Sequence, residues 1–224
     1  MKWTMEKNKP FAEVIQSSLS TWRAQCWQWD VIPAYGELLT ITTPERTIFG
    51  LVHEISTGSA DSLRTVFTYK KTEEELRRDH PHIFEFLQTS FSCLTLGYKE
   101  NGHIHYQLAP EPPKIHAFVQ SAKLADIEEF FSSDQYLHTL FAFAPQIFSL
   151  DELLLALLKQ LSDKKLLTTE KLTGFIETFS LLTANDYRRL KLFLQRAQTM
   201  INQDKPQKIL NQPLAQEIEW KELA

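Results

Sequence analysis

Thr47 to Tyr98 reads TIFGLVHEISTGSADSLRTVFTYKKTEEELRRDHPHIFEFLQTSFSCLTLGY, and the fold turns on it. Thr47–Ser56 is a β-branched and aromatic run interrupted by Gly50. Ile48 and Val52 fall on one side of an extended chain, and Phe49, Leu51 and Ile55 carry apolar groups to the other. A strand apolar on both faces is central and covered on both sides. A glycine inside such a strand predicts a bulge or sharp bend, as closed barrels use. Thr57–Asp61 is a surface turn, and Arg64–Tyr69 reads as extended. Thr72 followed by Glu75 is a capping box, and Glu73, Glu74 and Glu75 suit the positive end of a helix dipole. Pro81 kinks that helix or starts another, with Ile83, Phe84 and Leu87 on its apolar face. Phe91–Tyr98 is a second strand. The stretch predicts a covered sheet or a small barrel with an inserted helix near Thr72–Thr89.

Working outward, the preceding segments are short alternating strands. Phe11–Ser17 alternates weakly. Thr21–Trp27 sets Trp22, Ala24 and Cys26 against Arg23 and Gln25. Pro33 and Gly36 break the chain before a strand at Glu37–Thr42. Downstream, Asn101-Gly102 is a strong hairpin signal. It joins Phe91–Tyr98 to His103–Leu108, with Ile104, Tyr106 and Leu108 expected inside. Pro110, Pro112 and Pro113 end the β region. From Val119 the period becomes helical. The stripes are Leu124/Ile127/Phe131, Leu137/Leu140/Phe141, Leu150/Leu153/Leu154/Leu157/Leu158/Leu161, Leu172/Phe175/Ile176/Phe179 and Leu190/Phe193/Leu194/Ala197/Ile201. Five amphipathic helices bury a core only against each other or the barrel.

The expected class is α+β: a small N-terminal antiparallel β-barrel with an inserted helix, then a C-terminal α-helical domain. The expected division is a flexible N-terminus at 1–10, the barrel at 11–118, helices at 119–204 and a tail at 205–224.

The chain has 224 residues, 43% of them hydrophobic, enough for a real core. A net charge of −4 divides evenly about Phe118, so neither half is a basic nucleic-acid arm. Cys26 and Cys93 lie among apolar neighbours and read as free buried thiols. The N-terminus lacks the apolar run of a signal peptide, and no stretch approaches the length of a membrane helix. A cytoplasmic protein is expected.

Candidate chemistry is sparse. The six glycines build neither GxxxxGK[ST] nor GxGxxG, so no nucleotide-cradling loop of those kinds is expected. His103-x-His105 and His80-x-His82 each offer two imidazoles without a third ligand at metal spacing. No serine sits in GxSxG. The Glu73–Glu75 cluster is explained by its place at a helix start. No catalytic, cofactor or metal residue is assigned, and no enzyme activity is expected. Arg188, Arg189, Lys191 and Arg196 give the last long helix a basic face that could grip phosphate, although such patterns commonly mark a solvated helix face.

Glu13 to Ala122 resembles the HerA–ATP synthase barrel, or HAS-barrel. The resemblance rests on Phe49-Gly50-Leu51-Val52-His53-Glu54-Ile55 after the short strand Glu37–Thr42. It continues through Phe67 and Tyr69, the acidic Glu73–Pro81 segment, a strand ending in Gly97-Tyr98, and the exit Leu108-Ala109-Pro110-Glu111-Pro112-Pro113. This chain differs from that family in carrying no ATPase motor. The resemblance implies a non-catalytic assembly module: an adaptor or split subunit for a HerA-like ATPase, in a DNA-end-processing setting, with an ATPase or nuclease subunit as protein partner. Oligomerisation is compatible with it, and direct nucleic-acid contact would be weak. The alternative reading is a nucleic-acid-binding barrel using strand aromatics and the basic helix face.

Overall fold

The computed structural model describes residues 9–60 and 67–202. The expectations for the extreme N-terminus, for Arg64–Val66 and for the tail from Lys205 lie outside those residues.

The strands are β1 (Ala12–Ser17), β2 (Thr21–Cys26), β3 (Leu38–Thr42), β4 (Arg46–Ser59), β5 (Leu87–Glu100), β6 (His103–His105) and β7 (Phe118–Ser121). Their order is β2-β1-β7-β3-β4-β5-β6, and β2 also pairs with β5. That last pairing closes six antiparallel strands into a barrel, with β6 paired to the far end of β5. Asn101 and Gly102 take φ of 51° and 81° at the β5–β6 turn, as a two-residue hairpin requires.

Period-2 alternation sorts the side chains into two cores. Inside the barrel lie Trp22, Ala24, Cys26, Leu39, Ile41, Val52, Phe91, Cys93 and Val119. On its outside, Leu38, Phe49, Leu51, Leu94 and Leu96 join the helical core. Strand β4 is therefore covered on both faces, as its composition predicts. Gly50 faces inward, where an added Cβ would stand 2.3 Å from Trp22 Cζ2. The register of β4 slips beside it, between Phe49 and Gly50, and again between Val52 and Glu54.

The helices are α1 (Glu73–Asp79), α2 (Leu124–Phe130), α3 (Tyr136–Ala142), α4 (Leu150–Asp163), α5 (Thr169–Leu182) and α6 (Tyr187–Asn202). Phe130 packs on Phe49 with ring centroids 4.7 Å apart and joins helices to barrel. Phe175, Phe179 and Phe193 stack between α5 and α6. Ser149 and Thr168 cap α4 and α5, each accepting a backbone N–H.

Four expectations are corrected. The inserted helix is short: α1 ends at Asp79, and Pro81–Phe86 form a 3-10 turn. Leu87 belongs to β5, paired with Ser59, because the β4–β5 ladder outcompetes a helix interrupted by Pro81. Although Thr72 and Glu75 form the predicted capping box, α1 buries no residue and covers no sheet. The strand from His103 stops at His105, and Leu108 is exposed. Tyr106 instead turns toward α2, its hydroxyl donating to the Phe130 carbonyl at 2.6 Å. Val119 does not open the helical part. It lies in β7, the stave bridging β1 and β3, and it points into the barrel. In α2, Ile127 and Phe131 are buried as predicted, but Leu124 is exposed and the fully buried Phe130 takes its place in the core.

Candidate interaction surface

The helices cover the barrel over β3, β4 and β5. The outward residues of β1, β2 and β7 take no part in that core. Parity fixes which residues these are. Ala12 and Val14, Ala24 and Cys26, and Val119 point inward. Glu13, Gln25 and Phe118 therefore point outward, and register places Glu13 opposite both Gln25 and Phe118. Trp27 follows β2, its N–H donating to the Phe11 carbonyl at 2.9 Å.

Three apolar residues stand out on this face: Phe118 at 56% exposure, Trp27 at 52% and Ile15 at 43%. Ile15 is the extra residue of a bulge, since register passes from Val14–Ala24 to Gln16–Arg23. The aromatics are ordered. Trp27 and Phe118 meet edge to face at 5.4 Å. The Trp27 indole donates to Glu13 Oε1 at 3.0 Å, and His116 Nδ1 lies 3.2 Å from Glu13 Oε2. Glu13 thus holds Trp27, one member of the aromatic pair, together with His116. Ordered, exposed aromatics lose little conformational entropy on being covered, which is why they anchor protein interfaces.

The basic residues of α6 are divided. Arg189 Nη2 donates to Asp151 Oδ1 at 2.6 Å, and its guanidinium lies over the Phe179 ring. Arg196 pairs with Glu152. Both acids sit in the first turn of α4, so these cations tie α6 to α4. Arg188 and Lys191 are exposed. Arg188, Arg189 and Arg196 line a cleft of about 850 Å³ together with Asp151, Asp186, Leu192 and Met200. Its two carboxylates offset part of the charge that would draw phosphate.

The histidine pairs have local partners. His105 stacks on Tyr98, His80 packs tilted against Tyr69, and His82 is edge-on to His80. Among the described residues no three His, Cys, Asp or Glu side chains come together as metal ligands. Cys26 and Cys93 are free and buried, as expected. Burial pushes the Cys26 thiol up to about 12 and Cys93 well above its ordinary value, so neither is a thiolate nucleophile. His53 is the extra residue of the second β4 bulge. Its Nε2 is buried without a partner, and burial lowers its pKa against the opposing pull of Glu54.

The face built by Glu13, Ile15, Trp27 and Phe118 was not among the residues singled out from sequence. The signal was present: if Trp22, Ala24 and Cys26 face in, Trp27 faces out.

Among the described residues no helix is long and apolar enough to cross a membrane. No curated protein matches the chain. Residues 11–106, from the start of β1 through β6, match the family model of the HAS barrel domain. The matched residues supply five of the six antiparallel staves closed by the β2–β5 pairing; β7 completes the barrel, and a helical region follows.

Proposed function

We propose that the chain works by binding, as a non-catalytic assembly module: an adaptor or split subunit for a HerA-like ATPase in DNA-end processing. The observation that carries this is the HAS barrel domain itself, a domain type found in HerA-type ATPase assemblies. The sequence supports it, since its glycines cannot form a P-loop or dinucleotide-binding loop. The protein partner docks on the uncovered face of β1, β2 and β7, with Trp27 and Phe118 as anchors. The mixed charge around α6 supports a protein partner over tight direct DNA binding, which would need an unopposed basic track.

The test is affinity capture from the native cell with partner identification, run with the parent and with a Trp27→Ala/Phe118→Ala variant. The parent is expected to retain an ATPase or nuclease subunit and the variant to release it. Purified protein is expected to hydrolyse neither ATP nor DNA, and to bind DNA weakly near physiological salt. Turnover abolished by changing one polar residue, or nanomolar salt-resistant DNA binding, overturns the proposal.

A further inference from the structure

The helical region holds a cavity of about 470 Å³ between the α2–α3 loop, the end of α4 and the start of α5. Small-molecule sites fall in this size range. Its floor is Phe131, Leu158, Leu161 and Phe175, each at most 4% exposed.

Three observations give the cavity a chemistry. Tyr136 lines it and is 4% exposed, yet its ring makes only aromatic contacts, and its hydroxyl has no hydrogen bond among the described residues. A tyrosine whose ring is buried ordinarily keeps its hydroxyl where a hydrogen-bond partner can reach it. Gly174 lies in the second turn of α5, where glycine is destabilising relative to alanine. Nothing in the protein demands it: an added Cβ would meet only Asp134 Oδ2, at an ordinary 3.6 Å. A methyl there would occupy cavity space. Charge is the third observation. The lining carries the carboxylates of Glu128, Asp134 and Glu170 against one cation, Lys171. Asp134 accepts the Thr178 hydroxyl through Oδ2, which leaves Oδ1 free to accept more. The positive end of the α5 dipole acts within its first turn. Asp134 instead lies beside Gly174 and Thr178, beyond that turn.

We propose that this cavity binds a small alkylamine. Its protonated head donates to the Asp134 carboxylate and the Tyr136 phenol oxygen, and its aliphatic stem lies on Phe131, Leu158, Leu161 and Phe175. The site is separate from the barrel face, so it stands or falls independently of the assembly role.

The test titrates the full chain with n-hexylamine, n-hexanol and hexanoate at constant ionic strength. Backbone amide shifts around Asp134 and Gly174 are followed by NMR. Hexylamine is expected to bind saturably. Hexanol and hexanoate should bind about tenfold more weakly or worse, the loss that goes with one charge-assisted hydrogen bond. Asp134→Asn should weaken hexylamine by a similar factor. Gly174→Ala, which cannot disturb the Asp134–Thr178 bond by loss of a polar group, should weaken it while the rest of the spectrum is retained. Equal binding of all three probes, absence of saturable shifts, or unchanged affinity in both variants overturns the proposal.

Discussion

Replacing Gly50 by alanine tests the barrel interior with a single methyl. The new Cβ would stand 2.3 Å from Trp22 Cζ2, 2.8 Å from Cε2 and 3.0 Å from Nε1. Carbon atoms prefer separations of about 3.5–4.0 Å, so the shortfall exceeds 1 Å at the closest pair by that standard. Neither side has an easy retreat. Trp22 is 2% exposed and packs edge-on against Phe91 at 6.3 Å. Gly50 is paired with Leu39 on one side and Thr95 on the other. Overpacking of this kind costs about 1–3 kcal/mol, and the absence of slack puts the expectation near the top of that range. Urea unfolding measures it as a lower midpoint at unchanged slope. Gly58→Ala on the same strand is the control. Its added Cβ meets nothing within 4 Å, so a change within about 0.5 kcal/mol is expected. Trp22→Phe shortens the ring that blocks the methyl, and in that background Gly50→Ala should cost at least about 1 kcal/mol less. A Gly50→Ala variant as stable as the parent, or strict additivity with Trp22→Phe, would show that the indole does not lie on Gly50.

Two further outcomes are expected. Leu154 is fully buried in α4, so Leu154→Asp leaves an unpaired charge in an apolar core and costs several kcal/mol. Melting at the parental temperature would mean that this face of α4 is not packed. His53 has its pKa lowered below the ordinary 6.5 by burial. Below that value the unfolded chain binds the proton more readily than the folded one. The contribution of neutral His53 is complete at neutral pH and lost as pH falls from about 6.5 toward the folded pKa. Comparing urea midpoints near pH 7.5 and pH 5 (about the span over which histidine titrates), His53→Gln should lose less stability on acidification than the parent. An identical difference for both proteins refutes the assignment.

What the sequence made legible was local. Strand β4 announced itself because apolar residues occupy both parities, which only a doubly covered strand tolerates. The Asn101-Gly102 turn and the Thr72–Glu75 capping box are encoded within four residues and appear as read. The failures share a cause: each depended on a partner distant in sequence. Leu87 has the right spacing for a helix, but its fate is decided by Ser59 across a ladder begun far upstream. Val119 sits in a short run that alternation cannot separate from a helix start, and it becomes a strand because β1 and β3 each need a neighbour. In the same way Arg189 and Arg196 look like an open basic face until Asp151 and Glu152 arrive from α4. A helical wheel shows which cations share a face and nothing about what the face meets.

Closure of the barrel also limits how a partner can be held. An open sheet presents unpaired N–H and C=O groups along its edge, and an extended segment of another chain can add to it. Here the β2–β5 pairing closes the ring of six staves; beyond that ring, β4 from Glu54 to Ser59 pairs with β5 alone, and three-residue β6 adds a short stretch of backbone. Over the closed ring strand addition is a poor route, and recognition there falls to side chains on the barrel wall. Half of that wall is already spent on Phe49, Leu51, Leu94 and Leu96, which hold the helices. The other half carries Ile15, Trp27 and Phe118, of the same apolar character but facing water. A barrel that uses one wall to hold its own helices has the means to hold a separate polypeptide with the other. Trp27 and Phe118, steadied by Glu13, are where the proposed assembly role meets the structure.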